Sequence, residues 1–164
     1  MDNPDAAAAT ALAIDMTIEA GGWPPEEALG ELARRAVAAA SAVTKMDTPH
    51  TLGILFTEDG QIRALNARFR GEDKPTNVLS FPAPANAGLP GGLPHLGDIA
   101  LAYETVVREA RAEGKPFDHH LSHLIVHGFL HLVGYDHETD READEMEELE
   151  RAVLKGLAIA DPYA

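Results

Sequence analysis

A chain of 164 residues, 45% of them hydrophobic, can bury one core of ordinary domain size, and a single domain over residues 1–164 is expected. The absence of cysteine excludes disulfides, thiolate zinc fingers, iron–sulfur clusters and a thiol nucleophile, so any transition metal must sit on His, Asp or Glu. Thirteen Lys and Arg against 27 Asp and Glu leave a formal charge of −14, which argues against broad DNA binding but leaves room for a local basic site.

The acidic opening MDNPDAAAATALAI lacks the basic region of a secretory signal, and nowhere do about 18 apolar residues run together. A cytoplasmic protein without a membrane span is therefore expected. Leu12, Ile14, Met16 and Ile18 alternate with Ala13, Asp15, Thr17 and Glu19, the period of a half-buried strand that ends at Gly21-Gly22. Pro24-Pro25-Glu26-Glu27 suits a helix start, and an alanine-rich helix should follow to about Thr44 with Leu29, Leu32, Ala36 and Val37 inward. A second strand, Leu52 to Phe56, meets the turn Glu58-Asp59-Gly60, and Ile62, Leu65, Asn66 and Phe69 then keep helical spacing. That helix lies in the densest cationic stretch, Gln61 to Lys74, with Arg63, Arg68, Arg70 and Lys74.

Thr76 to Phe81 is β-rich and should stop at Pro82, and Pro82 to Pro94, with its prolines and glycines, reads as a loop. Leu96 to Ala102 resumes as a strand. From Tyr103 the pattern is helical, broken at Gly114-Lys115-Pro116 and near Gly134, and it continues with Ala143, Met146, Leu149 and Val153 on one face. The expected class is α+β, a small mixed β-sheet packed against about five helices. Asp136 to Glu150 is strongly acidic and reads as a solvated face.

The run HGFLHLVGYDH places His127 and His131 four residues apart, so both imidazoles project from one helix face, a zincin-like arrangement. Gly134 can stop the helix in a left-handed conformation and let His137 return to the same point. Three neutral nitrogen ligands are what one catalytic zinc needs, with the fourth position free for water. The alternative is a histidine-rich amphipathic helix with satisfied imidazoles. The same spacing occurs in metzincin proteases, HExxHxxGxxH, so a zinc peptidase is a competing function. Gly128 stands where those enzymes carry their glutamate base, which removes the proteolytic machinery while keeping the ligand geometry.

HGFLHLVGYDH resembles the signature of the YbeY-type endoribonucleases, and so do Leu65-Asn66, Phe69-Arg70, Thr76-Asn77-Val78-Leu79-Ser80-Phe81-Pro82, Leu96-Gly97-Asp98-Ile99 and Asp161-Pro162-Tyr163. The N-terminal fifty residues match only in strand and helix pattern. The resemblance implies a single-strand-specific, metal-dependent endoribonuclease of bacterial cytoplasm. It would act in 3′-end maturation of small-subunit (16S) ribosomal RNA and in ribosome quality control, with the small ribosomal subunit as partner and neither DNA nor membrane. It further implies zinc on His127, His131 and His137, and a required arginine at Arg70, where Phe69 replaces the usual tyrosine. A non-catalytic ribosome assembly factor with structural zinc is a further alternative, which a fourth protein ligand would mark.

Arg70 falls at a helix end before Gly71, from which its planar fork could reach a neighbouring cleft and grip phosphate. Otherwise it forms a surface ion pair with Glu72 or Asp73. His123, one turn before His127, is expected to support the site from behind or to lie at the core edge. Asp136 either orients an imidazole or makes a turn hydrogen bond, and Asp98 is expected to fix a turn. His50, His95, His119 and His120 receive no role.

Overall fold

The computed structural model describes residues 12–46, 48–84, 87 and 92–164. Among these are four strands and five helices: β1 (Leu12–Ile18), α1 (Glu26–Val43), β2 (His50–Thr57), α2 (Asp59–Arg70), β3 (Val78–Pro82), β4 (His95–Ala102), α3 (Tyr103–Ala112), α4 (Phe117–Leu132) and α5 (Asp140–Gly156). The sheet order is β1-β2-β4-β3. β1 and β4 both run parallel to β2, and β3 runs antiparallel to β4. The expected α+β class with a small mixed sheet and five helices is what the chain forms.

One sheet face, with Leu52, Ile54, Phe56, Ile99 and Leu101, joins α1 and α4 in the main core. From α1 come Leu29, Ala33, Ala36, Val37 and Ala40, and from α4 come Leu121, Ile125 and Phe129. α2 covers part of the other face, where Ile62 packs with Leu79, Ala100 and Ala102. In β1 the alternation is only half realised. Ile14 and Met16 pack on the core, whereas Ile18 is exposed because it ends a strand at the sheet's edge. The side chain of Leu12 and parts of the loop expected between Pro82 and Pro94 lie outside the described residues.

The bounds of three strands depart from expectation. β2 begins at His50, because Thr51 already accepts pairing with β1 and donates its N–H to the Pro94 carbonyl at 2.8 Å. β4 begins one residue early, at His95, in register with Thr51. β3 starts two residues late and includes Pro82. Ala102 N–H donates to Asn77 O at 3.1 Å and Ala83 N–H to Leu96 O at 2.9 Å, so the alternate residues Val78, Ser80 and Pro82 turn their backbone groups away from β4. Proline's missing donor therefore costs no ladder bond on this edge strand.

The seating of α4 on the sheet depends on Gly128. A Cβ placed there would lie 3.0 and 3.2 Å from the Ile99 side chain and 3.2 Å from Ser80 Oγ. Ser80 Oγ also donates to the Gly128 carbonyl at 3.1 Å, tying helix to strand at the same point. After α4, Gly134 takes φ +105°, a conformation costly for any residue with a Cβ, and the chain turns back. α5 then starts at a capping box in which Thr139 Oγ1 accepts from Glu142 N–H and the Glu142 carboxylate accepts from Thr139 N–H.

Gly128→Val should lower stability by about 1–3 kcal/mol through overpacking against Ile99 and Ser80. Denaturant unfolding checks this against Gly156→Ala, which meets open space and should cause no loss.

Candidate metal centre and cleft

His127 and His131 project from α4 one turn apart, with ring centroids 4.7 Å apart and their Nε2 atoms 3.1 Å apart. The Gly134 turn brings His137 alongside, its ring 5.6 Å from that of His127 and 5.0 Å from that of His131. One nitrogen from each ring can be chosen so that all three lie within 4.8 Å of one another. Two nitrogens on a tetrahedral zinc, each about 2.0–2.1 Å from the metal, would be about 3.3 Å apart, close to the observed Nε2 separation. Burial, and then the nearby imidazoles of His127 and His137, push the pKa of His131 down to about 4, so its ring is neutral at pH 7 and keeps a lone pair to offer. The donor set thus suits a borderline-soft divalent ion, and this cluster of three contains no protein carboxylate.

Behind His127 lies a carboxylate. Glu150 of α5 is fully buried, and Oε1 accepts a short hydrogen bond from His127 Nδ1. Oε2 accepts from His123 Nε2 at 3.1 Å and, at short range, from Tyr163 Oη. Burial alone would raise the Glu150 carboxyl. The hydrogen bonds from His123, His127 and Tyr163 outweigh it and hold the group down to about 2, so it is an anion at neutral pH. Burial and the adjacent carboxylate push the Tyr163 phenol well above its usual range, so it remains a donor.

The histidines form one wall of a cavity of about 300 Å³ whose other wall includes Arg70, Lys74, Asn77 and Ser80. Arg70 Nη2 donates to the outward carbonyl of Ser80 at 3.1 Å. Its suggested ion-pair partners are engaged elsewhere: Asp73 takes two hydrogen bonds from Arg63, at 2.8 and 3.1 Å, and Glu72 lies 3.8 Å from Lys74. Asn66, buried in α2, donates to the Lys74 carbonyl at 2.9 Å and so fixes the segment that follows Arg70.

The remaining candidates separate cleanly. His123 supports the site from behind by binding Glu150. Asp136 makes a local hydrogen bond, accepting from His137 N–H at 2.8 Å. Asp98 does not fix a turn: it lies within β4, where its carboxylate is 3.4 Å from His95 Nε2. A Cβ at Gly53 on β2 would be 2.2 Å from Asp98 Oδ1, so the missing side chain there makes room for the carboxylate. His120, given no role, is buried with Nε2 2.9 Å from Glu109, which in turn accepts from Asn77 Nδ2 at 2.9 Å.

Glu150 was hidden in the acidic run read as solvent-facing. The signal that marks it is its place on the apolar face of α5, four residues after Met146 and followed by Val153 and Leu154, all buried. An acid in that stripe must have partners.

The profile of the family described as Endoribonuclease YbeY matches residues 17–158, a span that includes Arg70, the three histidines and Glu150. This chain belongs to the Endoribonuclease YbeY family. Among its relatives, the Endoribonuclease YbeY of Chelativorans sp. is 60% identical over 158 residues, covering 96% of this chain and 97% of the relative. That of Rhodopseudomonas palustris is 58% identical over 152 residues, covering 92% and 80%. A Thermotoga maritima protein solved in solution is similar in fold, with a TM-score of 0.55 and 23% identity over 93% of this chain and 99% of that one. The resemblance read from Leu65 to Tyr163 is borne out, and the YbeY relatives extend it into the N-terminal region, where sequence pattern alone added little.

If the three imidazoles form one ligand set, His131→Ala should reduce bound divalent metal from about one ion per chain to near zero, since two imidazoles alone bind poorly. Elemental analysis of the purified proteins measures it, and unchanged metal content would refute the ligand set.

Proposed function

We propose that this chain is a zinc-dependent endoribonuclease that cleaves single-stranded RNA, and that the cleft shared by Arg70 and the three histidines is its active site. The observation that carries this reading is the cavity itself. It sets an exposed guanidinium opposite a three-imidazole cluster in a chain of net charge −14, and the family's relatives bear the name Endoribonuclease YbeY.

Zinc held by His127, His131 and His137 would supply Lewis-acid polarisation of a phosphoryl oxygen and of water. The chain's own groups do the rest. Arg70, fixed at one end by the Ser80 carbonyl, presents its remaining N–H groups to two non-bridging phosphate oxygens and neutralises charge that grows on them. Lys74 lines the same cavity, but Glu72 lies 3.8 Å from it and offsets its charge, which leaves Arg70 as the principal cation there. The cavity measures about 300 Å³, and the family resemblance supports single-stranded RNA as its substrate.

We further propose that the chain works as one unit over residues 1–164 in the cytoplasm, with 3′-end maturation of 16S ribosomal RNA and late quality control of the small ribosomal subunit as its role. The family resemblance supports this role, and no helix of the described residues is long and apolar enough to cross a membrane.

Two features weigh against the peptidase reading. The position of the protease glutamate, Gly128, faces the sheet, where a Cβ would already press on Ile99 and Ser80 and a side chain would point away from the cleft's open space. An extended peptide is commonly gripped by adding to a free sheet edge, but on β3 the outward carbonyl of Ser80 is already held by Arg70.

Arg70→Glu should abolish cleavage of a defined single-stranded RNA while leaving metal content unchanged, at a stability cost of about 1 kcal/mol for the lost Ser80 bond. Arg70→Lys should retain part of the activity, because a point charge cannot make the bidentate contact. Gel assays of RNA and casein digestion by wild type and variants decide among the readings. A folded, metal-loaded Glu variant that cuts at the wild-type rate removes Arg70 from the mechanism. A wild type that binds RNA without cutting it favours the assembly factor.

A further inference from the structure

The pair Glu150 and Tyr163 does more than join two helices and the C-terminal segment. We propose that Glu150 is the positioning residue of the metal centre, fixing His127 with its proton on Nδ1 so that Nε2 points at the shared ligand position, and that Tyr163 holds that carboxylate in place.

Three groups able to donate converge on the two Glu150 oxygens, His127 Nδ1 on Oε1 and both His123 Nε2 and Tyr163 Oη on Oε2. His127 therefore carries its proton on Nδ1, facing Glu150 Oε1. Its Nε2 is left with a lone pair directed toward His131 Nε2, 3.1 Å away. A freely rotating imidazole would distribute its proton between the two nitrogens and its ring among several orientations. Here both are set before any ion arrives, and a carboxylate behind the ring also makes the ligand nitrogen more basic.

The carboxylate is itself held. Glu150 is fully buried on the apolar face of α5, and Oε2 is shared by His123 Nε2 and Tyr163 Oη. Tyr163 is placed by a local clamp: its N–H donates to Asp161 Oδ1 at 2.8 Å, Arg151 Nε donates to the same oxygen at 3.3 Å, and the Arg151 guanidinium lies 5.3 Å over the phenol ring. Arg151 follows Glu150 directly in α5, so one helix turn sets both the carboxylate and the clamp for its donor. This assigns a purpose to Asp161-Pro162-Tyr163, all of which lies beyond the family match that ends at residue 158.

A purely architectural carboxylate would lower the unfolding temperature when lost but would not change the affinity of the folded chain for metal. The proposal rests on the metal reading above, and its test does not use RNA. Zinc affinity of the metal-free, folded protein is measured by competition with a chromophoric chelator, and cobalt loading is followed by its ligand-field absorption, for wild type, Glu150→Gln and Tyr163→Phe. Glu150→Gln should bind zinc about 10–100-fold more weakly and show an altered cobalt spectrum. Tyr163→Phe should show a smaller loss in the same direction, below about tenfold. Wild-type affinity and spectrum in folded Glu150→Gln would overturn the proposal. Should that variant not fold, unchanged affinity in Tyr163→Phe overturns it instead. A wild type that binds neither ion removes the metal reading and this inference together, which separates the two failures.

Discussion

The contact between α4 and the sheet at Gly128 sets the depth of everything in the cleft. With no side chain at that point the helix approaches Ile99 closely, and the Ser80 hydroxyl reaches the helix carbonyl. His127 and His131, one turn apart on α4, thereby line one cavity with Ser80 of β3. That edge offers the Ser80 carbonyl to Arg70. One residue, Ser80, thus touches both walls: its hydroxyl holds the helix that bears the imidazoles, and its carbonyl holds the guanidinium opposite them. Volume added at Gly128 would separate the walls as well as strain the core.

Charge in this protein is arranged against its overall sign. The basic segment around α2 is largely quenched locally, with Arg63 on Asp73 and Lys74 near Glu72, while Arg68 lies 5.1 Å over the ring of Phe69. Arg70 is the member of that segment whose guanidinium hydrogen-bonds across the cleft wall to a backbone carbonyl. Conversely, one acid of a strongly acidic helix is fully buried and bonded to three donors. The buried anion is tolerable because its hydrogen bonds replace the water it has lost.

Sequence patterns made the helices and the three-histidine cluster legible because both are local. The four-residue step from His127 to His131 and the glycine before His137 are properties of a short stretch of chain, and Gly134 adopts the backbone conformation its type suggests. Strand ends were less legible. Whether His50 or Leu52 opens β2 depends on β1 and on Pro94, distant in sequence. Pro82 stays in β3 because that strand is an edge, a fact of sheet order. Gly97 beside Asp98 reads locally as turn punctuation, yet both residues lie inside a strand. Glu150 was overlooked for a different reason. Charge density along the sequence drew attention to the run as a whole, while the decisive information was which helix face each acid occupies. Composition does not reveal this, but a 3.6-residue periodicity does.

The strand order carries a consequence for the order of events during synthesis. β3 is made before β4 but, among the described residues, pairs with β4 alone, which must insert between β2 and β3. Until residues beyond Ala102 have left the ribosome, the segment bearing Ser80 has no ladder to join, and Arg70 has no fixed carbonyl to meet. The imidazoles follow later still, and the carboxylate behind them arrives only with α5. Pairings between segments distant in the chain are slow to form because loop closure precedes the contacts that reward it. The two walls therefore cannot both be present until the chain has been made past His137, and a shorter nascent chain lacks the assembled cleft.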